Sequence, residues 1–419
     1  PGTYKWVWEE RWLYKFFEGL VKMDFLKTIN LKEAISLKKP RGILHIPTQS
    51  YFEMGEWTLP PEKIIKYKKF YEEIKSRKDL KPFIKGGFWR NFFEKYEETF
   101  WIYQRTIYVS NYLKNKLNLN LLKAQCNCGW WHGIFGGLYF PFLRREIFTN
   151  LIKAEKNKKN GFYKGKNFYV LRDKNFQIFF EEKYGGVIRE IDLLKESLNI
   201  TDLMKRRIEG YHLEEKKGEE KEISSIHNLS FSIESSFLPD IVKDPQPHLP
   251  LIIHFFDDIP KNLNDILKDE VIKPKGEGEI LKRGKEIIIK SKVNETEITK
   301  KIKINNNQLK INISNKNLSK KYYAVELPFS FPDGFYKTKV SDYIHFSIPN
   351  IFKEEEIFLW DKTTNLKIKI SFGKLEELNV FPLNTIVKCE SGFEKILQGI
   401  IIYPVFSKNN INIDITLEE

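Results

Sequence analysis

Near residue 160 the hydrophobic period of this chain changes, and that change constrains its fold more than any other feature. Upstream, Trp12, Leu13, Phe16, Phe17, Leu20 and Val21 recur at the spacing of an amphipathic helix. Helical patterns return at 61–77 through Ile64, Ile65, Tyr67, Phe70, Tyr71 and Ile74, again near 99–116, and over 142–155, where Leu143, Ile147, Phe148, Leu151 and Ile152 line one face. Downstream, LKINI (309–313) and INIDITL (411–417) alternate strictly, as strands with one buried face do. Tyr184-Gly185-Gly186 and Pro332-Asp333-Gly334 read as the turns between such runs. The polar stretch EKNKKNG at 155–161 separates the two regimes.

The chain therefore reads as multidomain, α then β. A chain of 419 residues exceeds the roughly 250–300 over which one core keeps growing. Residues 61–157 are expected to form a helical domain and 162–419 a large antiparallel β-sandwich, with GILHIP (42–47) as a single short strand within 1–60. The run EEKKGEEKE (214–222) is expected to be a solvated loop. Eight of the nine tryptophans precede residue 132 and only Trp360 follows, which separates the two parts again.

Composition excludes several classes. With 41% apolar and 30% charged residues the chain is globular and not disordered. The net charge of +14 does not mark a nucleic-acid binder, because lysines alternate with apolar residues, as in Leu366-Lys367-Ile368-Lys369-Ile370, on what reads as a solvated sheet face. Cys126, Cys128 and Cys389 make no disulfide framework. The longest apolar run, WWHGIFGGLYFPFL, falls short of the ~20 residues of a membrane helix and contains Gly, Pro and His. His212, His227, His248 and His254 match no metal-ligand spacing, and no dinucleotide, phosphate-loop or Gly-x-Ser-x-Gly motif is present, so neither metal nor cofactor is expected. The Asn-x-Ser/Thr triplets at Asn199, Asn228, Asn294, Asn312 and Asn317 are what an Asn-rich chain contains by chance. A cytoplasmic location is expected, and the opening Pro-Gly-Thr-Tyr reads as a fragment or a processed chain.

Three aromatic segments exceed the needs of packing: YFEMGEWTLP (51–60), KGGFWRNFFEKYEETFW (85–101) and QCNCGWWHGIFGGLYFPFLRR (125–145). Glu56 beside Trp57 has two readings. One is a helix-start charge beside a packed indole; the other is a ring stacking on a sugar while the carboxylate accepts hydroxyl hydrogen bonds. Asn127, Trp131 and His132 likewise fit either a helix crossing with a satisfied core histidine or a ligand-facing loop whose glycines admit close approach.

These blocks, with PGTYKWVWEERWL, RGILHIPTQS, KYGGVIREIDL and FPLNTIVKCESGFEKILQGI, resemble in collinear order the C-terminal two-thirds of glycoside hydrolase family 57. The resemblance implies the end of a (β/α)7 barrel over 1–60, with GILHIP as its last strand, then a helical bundle and a β-sandwich. It implies a retaining α-amylase or 4-α-glucanotransferase acting on α-1,4-glucan or maltooligosaccharide, whose nucleophilic glutamate and acid/base aspartate lie upstream of Pro1. Glu56, Trp57, Asn127, Trp131 and His132 would then line the substrate cleft, with no catalytic residue in this chain. Two departures stand out. Cys128 occupies the place of a usual aspartate, and Thr99, Phe100, Trp101, Ile102 and Tyr103 replace a usual Ser-Asn-x-Met-His. They leave room for a second reading, a non-catalytic glucan-binding or regulatory relative.

Overall fold

The computed structural model describes residues 4–45, 52–74, 76–84, 86–114, 116–133, 135–213, 233–268, 271, 276–389 and 392–418. Helices fill the first part. Pro61–Ile74 starts on a proline at its first position, where the missing N–H costs no helical bond, and Glu62 lies in its first turn. Glu97–Leu113 opens on two acids and ends at Lys114 in the left-handed region. Pro141–Ala154 again begins with proline and buries Ile147, Phe148, Leu151 and Ile152, the stripe legible in the sequence. No helix among the described residues is long and apolar enough to cross a membrane.

The remainder is antiparallel β. A five-stranded sheet runs from Gly161–Lys164 to Leu198–Asn199, and nine-stranded and six-stranded sheets follow. Ile289, Ile302, Ile311, Ile370 and Ile413 of the nine-stranded sheet share one core with Ile253, Tyr323, Val380, Ile400 and Phe406 of the six-stranded sheet. The expected sandwich is therefore present, and the runs at 309–313 and 411–417 lie in paired strands, Gln308–Lys316 and Asn410–Glu418. At the predicted turn, Tyr184, Gly185 and Gly186 all have positive φ.

The five-stranded sheet is the hinge of the architecture, because it is covered on both faces. Along Phe176–Glu181, all buried, Phe176, Ile178 and Phe180 join the sandwich core while Phe179 joins the helical core with Trp101 and Phe148. On the helix-facing side the strands also present Gln177, Glu190 and Asp192, and Arg105 answers them from the helix Glu97–Leu113. Its guanidinium pairs with Glu190 at 2.9 Å, Glu155 at 3.0 Å and Asp192 at 3.5 Å, all fully buried. Lys158 adds a second cation, 2.8 Å from Glu155. Glu155 and Lys158, which fall in the polar stretch 155–161, are thus internal charges of the junction and not parts of a solvated spacer.

Two expectations are corrected. Residues 42–45 are irregular and Ile43 and Leu44 are exposed, where GILHIP reads as a strand; its last two residues lie outside the described residues. A strand needs a ladder partner, and none lies beside this segment among the described residues. The helix Trp12–Val21 forms as its spacing predicts, yet buries no residue: Trp12 stacks on Phe16, and Phe16 meets Phe17 edge-on, all in the open. The run 214–222 and the histidine at 227 lie outside the described residues.

Burial pushes the Asp192 carboxyl well up, with Glu190 beside it adding to the effect against Arg105. A raised carboxyl holds its proton in the fold, so its ionisation at neutral pH opposes stability. Asp192→Asn, a neutral isostere, is expected to leave the unfolding free energy from urea titration within about 1 kcal/mol of the parent, whereas Arg105→Ala leaves Glu190 without its cation and Glu155 with Lys158 alone, and is expected to cost about 3–5 kcal/mol. Equal losses in the two variants would contradict the network as described.

Candidate functional site

Glu56 and Trp57 end the short helix Phe52–Trp57, rather than a strand. Glu56 is partly exposed and pairs with Lys68 of the following helix at 3.2 Å. Trp57 is half-buried, and its indole meets the His132 ring edge-on at 4.8 Å between centroids and Tyr211 at 6.4 Å. Its carbonyl accepts a 2.9 Å hydrogen bond from Lys95 Nζ. The first and third aromatic segments therefore meet, 75 positions apart in the chain (132 − 57).

The loop carrying Asn127, Trp131 and His132 is built on a 3₁₀ turn, Asn127–Gly129. Asn127 is exposed, and its carbonyl accepts from Trp130 N. Trp130 turns inward, its indole N–H donating to Ala124 O at 3.0 Å. Trp131 is half-buried, 5.6 Å from Phe92, and its carbonyl accepts from Leu138 N. The return of the chain is close: a Cβ on Gly137, at φ +49°, would sit 2.1 Å from that same carbonyl oxygen. Glycine is the residue that permits this conformation and this approach.

His132 is fully buried, with Nδ1 3.0 Å from Gly136 O and Nε2 3.0 Å from the Tyr211 hydroxyl. A carbonyl only accepts, so Nδ1 carries the hydrogen and Nε2 accepts from Tyr211. Burial lowers the ring's pKa to about 4, so it is neutral at pH 7. His132 accordingly stands behind Trp57 as a support and does not face solvent.

Beneath these rings lies a carboxylate absent from the sequence candidates. Glu209 accepts from the Tyr139 hydroxyl at 2.8 Å and the Tyr96 hydroxyl at 2.9 Å, and pairs with Lys95 at 2.8 Å. Burial, the largest influence, pushes its pKa up, but Lys95, His132 and the tyrosine hydroxyl together outweigh it and hold the carboxyl at about 2. Its own N–H donates to His212 Nδ1, whose Nε2 therefore donates to Ile386 O. Glu209 belongs to the segment IEGYH, 113 positions from Tyr96, and no local spacing connects them. Gly-Tyr-His beside an acid was the only sequence signal.

The departures at 99–103 are largely internal. Thr99 donates to Trp130 O at 2.8 Å, and the Trp101 indole donates to Glu190. Phe100 is half-buried, and with Tyr103 it flanks Phe93, at 6.4 and 4.6 Å. Cys126 and Cys128 are exposed free thiols. A separate pocket, lined by Glu98, Trp101, Arg189 and Asp202, lies at the helix–sheet junction and includes none of Glu56, Trp57, Asn127, Trp131 and His132. Among the described residues no cluster of three or more His, Cys, Asp or Glu side chains could hold a metal ion.

The pH response of the site follows from these groups. In the fold His132 takes a proton only near pH 4, against 6.5 when free, so its contribution is full above pH 6.5 and declines as pH falls toward 4. Glu209, depressed from 4.5 to about 2, adds a loss below pH 4.5. His132→Gln, which cannot titrate, is expected to remove part of the fall in melting temperature between pH 6.5 and 4, with His212 contributing across that range and Glu209 adding to it below pH 4.5. An unchanged slope would contradict a neutral, buried His132.

Known proteins share the sequence pattern and the fold of this chain. Residues 87–158 match the family model described as alpha-amylase/4-alpha-glucanotransferase, middle domain, and 165–417 match its C-terminal counterpart. An alpha-amylase of Pyrococcus furiosus is 30% identical, with 100% of this chain and 65% of the relative covered. A 4-alpha-glucanotransferase of Thermococcus litoralis is 29% identical over 97% of this chain and 64% of its own length. The crystal structure of 4-alpha-glucanotransferase from Thermococcus litoralis superposes with a TM-score of 0.74 at 26% identity, covering 100% of this chain and 65% of that one. The chain thus spans about 65% of the length of these relatives.

Proposed function

Because the chain belongs to the alpha-amylase/4-alpha-glucanotransferase family, we propose that it forms one wall of an α-glucan cleft, with Trp57 and Trp131 as stacking surfaces for successive sugar rings. The supporting observation is the edge contact between Trp57 and His132, which brings two segments distant in sequence to one place. A half-buried indole held from behind keeps one face for a ligand, and a sugar's C–H face is the apolar surface that suits it. Glu56 and Asn127, both solvent-accessible, supply acceptors and a donor for hydroxyl groups. His132 and Tyr211 act as positioning residues for Trp57.

The parent activity we infer is a retaining α-amylase or 4-α-glucanotransferase acting on α-1,4-glucan. Its nucleophile and acid/base carboxylate are the pair that the sequence resemblance places ahead of Pro1. The buried acids described above are committed to ion pairs and tyrosine hydroxyls, and none is assigned to bond cleavage. Alone, the chain is expected to bind maltooligosaccharides without forming new ones. A second reading, a non-catalytic glucan-binding relative, draws on Cys128, a neutral thiol where family members carry an aspartate.

Trp57→Ala is expected to weaken maltoheptaose binding by about 1–3 kcal/mol, the loss of one stacked and desolvated aromatic surface. Calorimetric titration alongside circular dichroism is the check. Unchanged affinity in a folded variant would remove Trp57 from the binding surface. Chromatography of maltoheptaose incubated with the chain separates the readings of activity, since new chain lengths would show that it carries catalytic carboxylates of its own.

A further inference from the structure

Trp360 is the one tryptophan beyond residue 131, and the cleft makes no use of it. It lies on the outward face of the nine-stranded sheet: along Glu356–Asp361, Ile357, Leu359 and Asp361 are buried while Glu356, Phe358 and Trp360 point out. The register sets Trp360 opposite Phe335 on one neighbouring strand and Lys367 on the other. Ring centroids lie 5.5 Å apart for Phe335 and Trp360 and 5.3 Å for Tyr343 and Trp360. The indole N–H donates to Asn365 Oδ1 at 3.2 Å, which fixes the ring in its plane. Further along the same outward face, Lys301, Lys310, Asn312 and Asp414 replace aromatics, so the rings form a local platform at one end of the sheet.

The charges around the platform discriminate between ligand classes. Glu356 pairs with Lys369 at 2.9 Å and Lys339 at 3.0 Å, and Lys367 stands opposite Glu418 in register. Lys339, Lys367 and Lys369 thus face acids, while Lys337 Nζ lies over the Tyr343 ring, 4.6 Å from its centroid; with most of the cations matched, the patch offers a polyanion little net attraction. Mostly paired charges and amides around the half-buried rings of Phe335 and Trp360 and the exposed ring of Tyr343 suit an uncharged, hydroxyl-rich chain, whose C–H faces lie on the rings and whose hydroxyls exchange hydrogen bonds at the edges.

We propose that the outward face around Phe335, Tyr343 and Trp360 is a second α-glucan-binding surface, separate from the cleft and suited to holding long glucan chains. The choice of an α-glucan rests on the proposed function; the platform itself does not. Affinity electrophoresis of the chain through gels containing glycogen tests both. Trp360→Ala, and separately the exposed Tyr343→Ala with folding checked by circular dichroism, are expected to weaken apparent affinity for glycogen roughly fivefold each. Trp57→Ala is expected to leave residual retardation that the Trp57→Ala/Trp360→Ala double variant loses. If Trp57→Ala abolishes retardation while Trp360→Ala and Tyr343→Ala leave it unchanged, the platform is overturned and the cleft stands. Sensitivity to Trp360 and Tyr343 but not to Trp57 would uphold the platform and remove the cleft. No retardation by glycogen at all, equal retardation by a β-glucan, or Trp360-dependent binding of a single-stranded oligodeoxynucleotide instead would each overturn the proposal.

Discussion

The carboxylate of Glu209 sets the position of the candidate cleft. It is buried among Tyr96, Tyr139 and Lys95, three residues of the helical part, although it belongs to a segment that follows the five-stranded sheet. A lone carboxylate there would cost several kcal/mol of lost hydration, so the fold must bring a cation and donors to it together. Lys95, drawn in as the cation, also holds the Trp57 carbonyl. Tyr211, two residues on, holds the His132 ring, and His132 carries Trp57. One buried charge thereby places an indole that has no direct contact with it.

The same economy recurs at the junction between helices and sheets, where polar contacts give the packing its direction. Arg144 donates to Asp202, to Leu138 O and to Gln398 Oε1, linking the helix Pro141–Ala154 to the segment that follows the five-stranded sheet and to the six-stranded sheet. Arg105 does the same toward Glu190 and Asp192. Apolar contacts alone would let the sheet slide beneath the helices; ion pairs with fixed hydrogen-bond geometry admit one register. A cleft wall made from loops needs such a rigid base, because stacking on a sugar tolerates little displacement of the ring.

The elements were legible in the sequence wherever a hydrophobic period ran long enough. Ile147, Phe148, Leu151 and Ile152 announced their helix, and the alternation at 309–313 its strand, because burial of one face dictates both patterns. What escaped was decided at a distance. The segment GILHIP has strand composition, but a strand exists only beside a partner, and residues 42–45 have none among the described residues. Glu155 and Lys158 have the composition of a surface linker and are enclosed because Arg105, fifty positions away, needs an acid. In the third aromatic segment His132 is internal, as the core reading has it, while Trp131 is half-buried.

The central claim is that Trp57 and Trp131 share one ligand-facing surface, while Trp101 and Trp130 are internal, their indole N–H groups given to Glu190 and Ala124 O. Titrating the isotopically labelled chain with maltoheptaose and following the tryptophan indole N–H resonances by nuclear magnetic resonance tests this directly. The account predicts that the Trp57 and Trp131 signals move together along one binding curve while those of Trp101 and Trp130 stay in place. Movement of only one of the first pair, or of the internal pair in their stead, would contradict it.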